Sequence, residues 1–375
     1  MVAKHGRRAA PAAKRSTVRS SVAVLLAVVA VAGALLMRHH AGSSTIATTT
    51  TTALPTTTLP PTISLAAVGD TDLGATPTLP SSPAAEFAPV KGLLRGDIVF
   101  ANLEGTMTNS SSGSKCGVAS TSCYAFRVPT TFAQYYRAAG FTVLNSANNH
   151  SYDFAAQGVA ATSAALRSVG IVQAGLPGQI GYVAVHGVRV AFVDVAPYYL
   201  TNNMLVPSQL PALITEAKHH ASIVVVYMHT GAEGASADHV TKANEYYYGE
   251  NRGNPYAYAH AAIDDGADLV LGSGPHVWRG MEFYRGHLIV YSMGDFTNYD
   301  AFSSWGNLSL SGVVHVTLSS TGAFVRGSID PVIIEQGGLA VPDSRHQLWG
   351  FINGLSHSDF GASAALVSAT GQIER

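Results

Sequence analysis

Side chains that bind metals or move protons recur directly after short apolar runs in this sequence. In chain order they are Asp70 and Asp72, Asn102 and Glu104, Asn149 and His150, His229, and His276. A mixed set of carboxylate, amide and imidazole groups is typical of Mn, Fe or Zn sites. One carboxylate can bridge two such ions, and two ions about 4 Å apart can activate a water and polarise a phosphoryl oxygen. The set therefore predicts a site for one or two divalent ions.

Each of these residues also has an ordinary alternative role. A single Asp or His after a strand is commonly a helix cap or a solvated loop residue. The prediction depends on five separate strand ends that show the same pattern: a polar residue follows the apolar run, with Gly, Asn or Pro beside it. Small residues let the backbone turn sharply, so the side chains can converge. We therefore expect five residues to meet in space: Asp70, Glu104, Asn149, His229 and His276.

The apolar runs predict the elements that must position these side chains. Buried strands are predicted near 63–70, 97–101, 141–144, 190–195, 223–227 and 268–271, and helices near 83–94, 130–140, 154–169 and 256–265. Two hairpins are predicted around Arg285-Gly286 and Ser320-Thr321-Gly322. Strands that alternate with helices and end in hairpins indicate an α/β layered domain with a mixed sheet. Open α/β sheets bind ligands just beyond their strand ends, where the polar residues fall.

The N-terminal region has the pattern of an export or anchoring signal. Six basic residues precede an uncharged apolar run at 22–37. The length of the run lies between a signal-peptide core and a membrane span of about 20 residues. The basic flank predicts a cytoplasmic N-terminus, which places the rest of the chain outside. We expect an uncleaved single-pass anchor in the cell membrane with an extracytoplasmic main domain; cleavage of the segment would make the protein secreted.

Composition divides the chain into four regions and excludes two classes of protein, disordered proteins and nucleic-acid-binding proteins. Residues 1–42 hold the basic tail and anchor or signal segment, 43–62 form a Thr/Pro-rich linker, 63–340 form the main domain, and 341–375 are predicted to form a C-terminal helix and tail. Charged residues make up 12% and apolar residues 47%, which excludes general disorder. The formal net charge of −1 gives no field that favours nucleic acid.

The two cysteines, Cys116 and Cys123, lie in a Gly/Ser-rich stretch. A small disulfide is expected if the compartment is oxidising, and two reduced thiols are the alternative. Two thiolates alone are a poor zinc site, because structural zinc sites generally use four ligands.

Five blocks of the sequence resemble a known family. They are AAVGDTDLG, DIVFANLEG, NSANNHSYDFAAQG, VVVYMHTGAE and ADLVLGSGPHVWRGMEFYRGHLIVYSMGDF, in that order over about residues 63–300. This pattern resembles the CapA-type poly-γ-glutamate capsule-synthesis proteins of the calcineurin-like metallophosphoesterase superfamily. The resemblance implies a metallophosphoesterase-like four-layer sandwich of two mixed β-sheets flanked by helices.

The resemblance also implies metal-binding roles for Asp70, Asp72, Glu104, Asn149, His229 and His276. Asp70 and His276 would bind the first ion, and Asn149 and His229 the second. Glu104 would be the bridging carboxylate. Asp72 stands where the superfamily often has a histidine, and would act as an oxygen ligand.

The implied catalytic pair is His150 and Asp153. His150 would be the general acid or the phosphate-binding group, and Asp153 would orient it. The sequence departs from the superfamily pattern at Ser273 and Gly274, where a second histidine is expected, and at Asp295, where an asparagine is usual. Asp295 has two alternative roles: it replaces a missing ligand, or it fills the structural role of the asparagine. The departures imply a second ion that is weakly held or absent, and hydrolytic activity does not follow from the resemblance.

Three functions remain open from the sequence. The first is a metal-dependent hydrolase or transferase acting on a phosphate ester or an envelope polymer. The second is a non-catalytic assembly or export factor that binds an anionic polymer such as poly-γ-glutamate, with other polymer-synthesis membrane proteins as partners. The third is a binding domain that kept an enzyme fold.

Overall fold

The computed structural model describes residues 61–116 and 123–375. The strands are β1 (Thr62–Asp72), β2 (Ile98–Leu103), β3 (Thr106–Met107), β4 (Arg127–Val128), β5 (Val143–Asn145), β6 (Val172–Ala174), β7 (Gly181–Val185), β8 (Val188–Val195), β9 (Ile223–His229), β10 (Tyr246–Tyr247), β11 (Glu250–Asn251), β12 (Leu269–Ser273), β13 (Met281–Tyr284), β14 (His287–Val290), β15 (Asp295–Asn298), β16 (Leu310–Ser319), β17 (Phe324–Ile334), β18 (Ala340–Pro342), β19 (Leu366–Val367) and β20 (Ile373–Glu374). The α-helices are α1 (Ala133–Ala139), α2 (Ala155–Ser168), α3 (Gln209–His220), α4 (Pro255–Asp265) and α5 (Gln347–Phe360).

The first large sheet has the order β18-β17-β16-β1-β2-β5-β6, with β15 also paired to β1. Strands β1, β2, β5 and β6 are parallel, whereas β16 to β18 are antiparallel. The register places Asp70 beside Asn102, and Asn102 beside Asn145. The carboxyl ends of the three parallel strands therefore deliver polar side chains to one edge.

The second large sheet has the order β13-β14-β12-β9-β8-β7. Strands β8, β9, β12 and β14 are parallel, and each outer strand joins by an antiparallel hairpin. The register pairs Ser273 with His229 at the carboxyl ends of β12 and β9. This sheet thus adds a second row of polar strand ends.

Three buried clusters show how the layers pack. One lies between the two sheets, where Phe100 of β2 stacks on Phe192 of β8 with ring centroids 5.4 Å apart. A second joins the outer face of the first sheet to α1 and α2. A third joins the outer face of the second sheet to α3 and α4. The order helix, sheet, sheet, helix confirms the expected sandwich of two mixed sheets flanked by helices.

Successive side chains of the large-sheet strands are buried on opposite faces, because each sheet is covered on both sides. In β1, Leu65 and Ala67 point between the sheets, whereas Ala66 and Val68 pack under the helices. A strand covered on both sides has a continuous apolar run, which is how these strands appear in the sequence. Each fully buried large apolar side chain contributes roughly 1.5–3 kcal/mol relative to exposure.

The helix expected over 83–94 is wrong. Only Pro83–Ala85 is helical there, as a 3-10 turn, and further turns follow it. Pro89 lacks the backbone N–H that an α-helix would need at that position. The helices expected near 130–140, 154–169 and 256–265 are present as α1, α2 and α4. Helix α3 was not predicted.

The C-terminal region continues beyond its expected helix with defined structure. Helix α5 is followed by the hairpin of β19 and β20, whose Val367 and Ile373 join the cluster between the sheets. The structure therefore has a packed hairpin where a loose tail was expected. Burial of those two apolar side chains accounts for the order of the segment.

Cys116 and Cys123 are joined in a disulfide. The expected anchor at 1–42 and linker residues 43–60 lie outside the described residues. Among the helices that the structure describes, none has the length and hydropathy required to cross a bilayer.

Candidate metal centre

The carboxyl ends of the two sheets meet, and their polar side chains form two groups with the spacing of metal ligands. One group is Asp70, Glu104 and His229, and the other is Asp70, His276 and Asp295. Within each group the candidate ligand atoms lie within 4.8 Å of one another. We call these groups the Glu104 triad and the Asp295 triad.

The Glu104 triad joins the two sheets. Asp70 lies near the end of β1 and Glu104 follows β2, whereas His229 ends β9 of the second sheet. His229 Nδ1 lies 3.8 Å from Asp70 Oδ1 and 3.6 Å from Glu104 Oε2. All three residues are at most 1% exposed. Three ligands of two chemical types therefore surround one buried point.

The Asp295 triad lies on the other side of Asp70. His276 Nδ1 is 2.8 Å from Asp295 Oδ1 and 3.2 Å from Asp70 Oδ2. His276 has a φ of 58°, in the left-handed region that non-glycine residues seldom adopt. Its ring stacks on Phe302 with centroids 4.2 Å apart, which fixes its direction.

Asp70 belongs to both triads and is the carboxylate that the structure places between them. The Ser273 hydroxyl donates to Asp70 Oδ1, and the Gly274 N–H donates to Oδ2 at 3.2 Å. The family resemblance implies the bridging role for Glu104, which stays a prediction. Asp70 is the residue common to both triads.

Asp72 is not in either triad, although the sequence placed it among the metal ligands. Its Oδ1 accepts a hydrogen bond from the Gly74 N–H at 2.9 Å. Its Oδ2 is buried and has no hydrogen-bond partner among the residues that the structure describes. One carboxylate oxygen of Asp72 thus supports the turn at Gly74, and its metal-binding role stays a prediction.

Asn149 lies at the more open side of the centre. Its Oδ1 is 3.0 Å from His229 Nε2, and its side chain is partly exposed. The two ring nitrogens of His229 thus face different groups: Nδ1 faces the triad and Nε2 faces Asn149. The five residues expected to converge, Asp70, Glu104, Asn149, His229 and His276, do lie together.

Asn102, one of the strand-end residues singled out in the sequence, lies among the ligands of the Glu104 triad. Its Nδ2 donates to Asp70 Oδ1 at 2.7 Å and to Glu104 Oε2, and lies 3.3 Å from His229 Nδ1. Its Oδ1 accepts hydrogen bonds from Asn145 and Asn148 at 2.6 and 2.9 Å. The run of asparagines in NSANNH was the signal that such an amide network was present.

His150 and Asp153 form the second part of the site. His150 Nδ1 lies 2.8 Å from Asp153 Oδ2, and His150 Nε2 lies 3.8 Å from Glu104 Oε1. Both side chains are buried, and Asp153 is fully so. The imidazole is therefore held by the acid at one nitrogen, and presents the other toward the Glu104 triad.

Burial dominates the pKa values of the acids, because a buried carboxylate loses its hydration. Burial raises the pKa of Glu104 well above its usual value, and the Asp70 charge adds to this rise. Burial also acts on Asp70, but the His276 hydrogen bond and the charge of His229 outweigh it, so the Asp70 pKa is lowered. Asp70 therefore ionises before Glu104.

The three histidines differ in protonation. Burial lowers the pKa of His229 to about 3 against the opposing charge of Asp70, and burial also lowers the pKa of His150 against Asp153. For His276, burial is outweighed by the charge and hydrogen bond of Asp295, and the pKa is raised well above its usual value. His229 is thus a neutral imidazole, which is the form that binds metal.

The residues present fit a divalent cation. Glu104 Oε1 is buried and has no hydrogen-bond partner within residues 61–116 and 123–375. Over the same ranges, no lysine or arginine forms an ion pair with Asp70, Glu104 or Asp295. Buried acids require a cation or a proton, since an unpaired buried charge is strongly unfavourable. The set contains oxygen and nitrogen donors suited to Mn, Fe or Zn.

A loop of the second sheet covers one side of the site. Glu233 Oε2 lies 3.9 Å from His276 Nε2, and Glu233 Oε1 accepts from Arg252 Nη1 at 2.6 Å. Arg252 lies over the rings of Tyr198 and Tyr247, at 5.6 and 5.4 Å from their centroids. The arginine therefore neutralises Glu233 and leaves it beside the Asp295 triad.

The fold and the site define an α/β sandwich with candidate metal-ligand clusters at its strand ends. The chain belongs to the family described as bacterial capsule synthesis protein PGA_cap, whose model matches residues 64–300. It is 35% identical over 209 residues to the PGA biosynthesis protein CapA of Bacillus subtilis (strain 168), covering 51% of each chain. It is 30% identical over 221 residues to the capsule biosynthesis protein CapA of Bacillus anthracis, covering 53% of this chain and 49% of that protein. The matches thus span about half the length of these relatives.

Solved structures with distant similarity include three that overlap most of this chain. A hypothetical protein from Thermus thermophilus has 18% identity and a TM-score of 0.44, over 72% of this chain and 98% of that chain. A putative 5'-nucleotidase from Staphylococcus aureus has 15% identity and a TM-score of 0.42, over 79% of this chain and 57% of that chain. A purple acid phosphatase from yellow lupin has 11% identity and a TM-score of 0.37, over 76% of this chain and 55% of that chain.

Proposed function

We propose that this chain is an extracytoplasmic, membrane-tethered protein of poly-γ-glutamate or capsule synthesis that uses a divalent-metal centre to hydrolyse or transfer a phosphate ester or an envelope-polymer bond. The observation that carries the proposal is the pair of buried triads that share Asp70. Family membership supports the role in polymer synthesis.

The ligands divide between two positions. Asp70, His276 and Asp295 would hold one ion, and Asp70, Glu104 and His229 would hold a second. Asn149 lies at the other ring nitrogen of His229, on the far side of the ring from this second position. Divalent ions bound here would polarise a phosphoryl or carbonyl oxygen and lower the pKa of a water molecule. Ser273 and Gly274 contribute by fixing the orientation of Asp70 through their hydrogen bonds.

His150 is the residue placed to move a proton. With Nδ1–H donated to Asp153, its Nε2 carries the free lone pair and faces the Glu104 side of the site. The neutral ring can accept a proton at Nε2, and Asp153 stabilises the imidazolium that results. The same proton can then be delivered to a leaving oxygen.

The second candidate function is a non-catalytic polymer-binding or assembly factor with an incomplete metal centre. It is favoured by Asn102, whose amide N–H groups contact all three members of the Glu104 triad. An amide donor at that point competes with a cation. In this case the anionic polymer would bind through the Asp295-side ion or through the covering loop, without reaction.

Glu104→Gln tests the enzymatic proposal. The purified full-length protein is expected to bind one or two Mn²⁺ ions and to cleave bis(p-nitrophenyl) phosphate only with added metal. Glu104→Gln removes a negatively charged ligand, and should reduce metal affinity or activity by about 10- to 100-fold. Elemental analysis and a colorimetric assay measure the two effects.

Glu216→Gln is the matched control, because Glu216 lies on the exposed face of α3 and its one ion pair within residues 61–116 and 123–375 is with the exposed His220. It should leave both readouts unchanged. Absence of bound metal, together with equal activity of the wild type and Glu104→Gln, would eliminate the enzymatic proposal.

The two candidate functions differ in their response to His150→Ala. Loss of the proton-moving group should abolish hydrolysis, whereas binding of poly-γ-glutamate by an assembly factor should persist. Binding to the immobilised polymer, measured with and without Mn²⁺, separates the two. An absence of polymer binding under every metal condition would contradict the assembly role.

The proposed location has its own test. Fractionation should recover the full-length protein with the membrane, and protease added to intact cells should digest the main domain. Protection of that domain until lysis would contradict an extracytoplasmic location.

A further inference from the structure

The two chain segments that flank the disulfide both contact Asp153. Lys115 immediately precedes Cys116, and Phe126 follows Cys123 by three residues. Neither segment contributes a candidate metal ligand. We call them the Lys115 arm and the Phe126 arm.

The Lys115 arm binds Asp153 twice. Its backbone N–H donates to the Asp153 carbonyl oxygen at 2.8 Å, and Lys115 Nζ lies 2.5 Å from Asp153 Oδ1. The ammonium group also donates to the Asn149 carbonyl oxygen at 3.1 Å. Lys115 thus neutralises a fully buried carboxylate from a side chain that is itself 35% exposed.

The Phe126 arm binds the other carboxylate oxygen. The Phe126 N–H donates to Asp153 Oδ2 at 2.6 Å, the same oxygen that faces His150 Nδ1. The Phe126 ring packs on the His150 ring with centroids 4.3 Å apart. Asp153 and His150 are therefore each held by groups that the disulfide brings together.

The Lys115 arm is joined to the rest of the domain mainly by polar contacts. Residues 109–115 are all exposed, so hydrophobic burial contributes almost nothing to their order. Gln157 Nε2 donates to the Ser112 carbonyl oxygen at 2.7 Å, and Asn109 exchanges hydrogen bonds with Thr130 at the start of the arm. No such contact is present at Ser114 among the described residues, next to Lys115 and the disulfide. The disulfide to Cys123 links this exposed arm covalently to the Phe126 arm, which has buried contacts.

We propose that Lys115 is a positioning residue for the His150–Asp153 pair, and that the Cys116–Cys123 disulfide holds Lys115 in place, so that the pair loses its fixed geometry when the disulfide is reduced. The proposal rests on the proton-moving role proposed above for His150. Reduction converts the S–S bond to two thiols at the expense of a thiol or phosphine reductant, which is oxidised. The device makes the site responsive to the redox state around it.

The test uses the full-length protein with four variants: Lys115→Met, Lys115→Arg, the double variant Cys116→Ser/Cys123→Ser, and Lys91→Met as control. Lys91 is an exposed lysine remote in sequence from the arms, and its loss should change nothing. Lys115→Met should lower kcat for bis(p-nitrophenyl) phosphate about 10-fold with KM and bound Mn²⁺ unchanged. Lys115→Arg should restore most of this loss, because a guanidinium can also pair with Asp153.

Reduction provides the decisive comparison. Tris(2-carboxyethyl)phosphine should lower kcat of the wild type to the value of the double serine variant, and should have no effect on that variant. In Lys115→Met the reductant should cause little further loss, because two changes that act through one contact are not additive. Equal, additive losses in wild type and Lys115→Met would overturn the proposal.

A second readout separates this proposal from the proposed catalytic function. In ¹⁵N-histidine-labelled protein, the ring resonances of His150, assigned with a His150→Gln variant, should shift on reduction and in Lys115→Met but remain in place in Lys91→Met. If the wild type shows no hydrolysis yet these resonances move, the catalytic proposal fails and the positioning role stands. Resonances that stay fixed under reduction and in Lys115→Met would refute the positioning role whatever the activity.

Discussion

Asp70 is the residue on which the candidate site is built. It receives hydrogen bonds from Ser273, Gly274 and Asn102, and it faces two histidines. In the sequence, Ser273 and Gly274 marked the positions where a histidine ligand was missing. In the structure they orient the shared carboxylate instead. A departure from a family pattern can therefore be a replacement of one supporting contact by another.

Ser273→Ala is predicted to weaken the site more than the fold. The Ser273 hydroxyl links the buried Tyr227 hydroxyl to Asp70 Oδ1. Its removal leaves two buried polar groups short of a partner, which costs about 1–3 kcal/mol of stability. Loss of the orienting bond should also reduce Mn²⁺ affinity about 10-fold or more. Urea unfolding and Mn²⁺ titration measure the two losses; Ser168→Ala, at an exposed serine of α2, is the control.

The sequence predicted which residues converge but not how they share roles. Polar residues after five apolar runs were enough to place Asp70, Glu104, Asn149, His229 and His276 together. The place of Asp295 beside His276 and Asp70 depends on the pairing of β15 with β1, and these strands are more than two hundred residues apart in sequence. No local periodicity records such a pairing, so this contact required the structure.

At the scale of elements, the six apolar runs predicted as buried strands are present as β1, β2, β5, β8, β9 and β12, because nearly all of their residues are buried. Strands with more exposed residues, such as β7 and β10, were not predicted. The 83–94 segment was misjudged because its apolar residues are spaced like a helix, although Pro89 and Gly92 interrupt it. Helix α3 was missed, and its Pro211 lies in the first turn, where proline is tolerated. Packing against the sheets, rather than intrinsic helix propensity, determines whether these two segments are helical.

Asp330→Asn is predicted to reduce acid sensitivity in the β16–β17 ladder. Asp330 Oδ2 lies 3.0 Å from His315 Nε2 and 2.8 Å from Arg95 Nη2. The hydrogen bond with His315, and then the charges of His315 and Arg95, lower the Asp330 pKa below 3.8. A depressed acid pKa stabilises the fold above the unfolded-state value, and this stabilisation is lost as pH falls through the folded-state value.

The expected result is a smaller drop in unfolding free energy between about pH 7 and pH 3 in Asp330→Asn than in the wild type, by about 0.5–1 kcal/mol for a partly exposed pair. Urea denaturation at both pH values measures it. An unchanged drop would show that the pair contributes nothing to acid stability.

At the scale of the whole molecule, the site is a product of packing one sheet on the other. Asp70 and Glu104 come from the first sheet, whereas His229 and His276 come from the second. No single sheet holds enough ligands for either triad. The distance between ligands is therefore set by the side chains that fill the space between the sheets, with Phe100, Phe192 and Tyr227 among them.

Phe100→Ala tests this dependence against Phe87→Ala. Both phenylalanines are at most 2% exposed, but Phe100 packs between the sheets and Phe87 packs under α1. Each substitution should cost about 3–5 kcal/mol of stability. Only Phe100→Ala should also lower Mn²⁺ affinity, since it alone alters the spacing between the sheets. Equal affinities in the two variants would contradict a site dependent on that spacing.

The sharing of one carboxylate has a thermodynamic consequence for any cations that enter. Two ions that both use Asp70 as a ligand cannot bind independently. The first ion changes the charge and orientation of the Asp70 carboxylate, which the second ion also requires. The factor by which an ion at one position changes the affinity of the other position must be the same whichever position is occupied first. A stepwise titration should accordingly give two unequal, mutually dependent isotherms, so that the prevailing ion concentration decides between a mononuclear and a binuclear form.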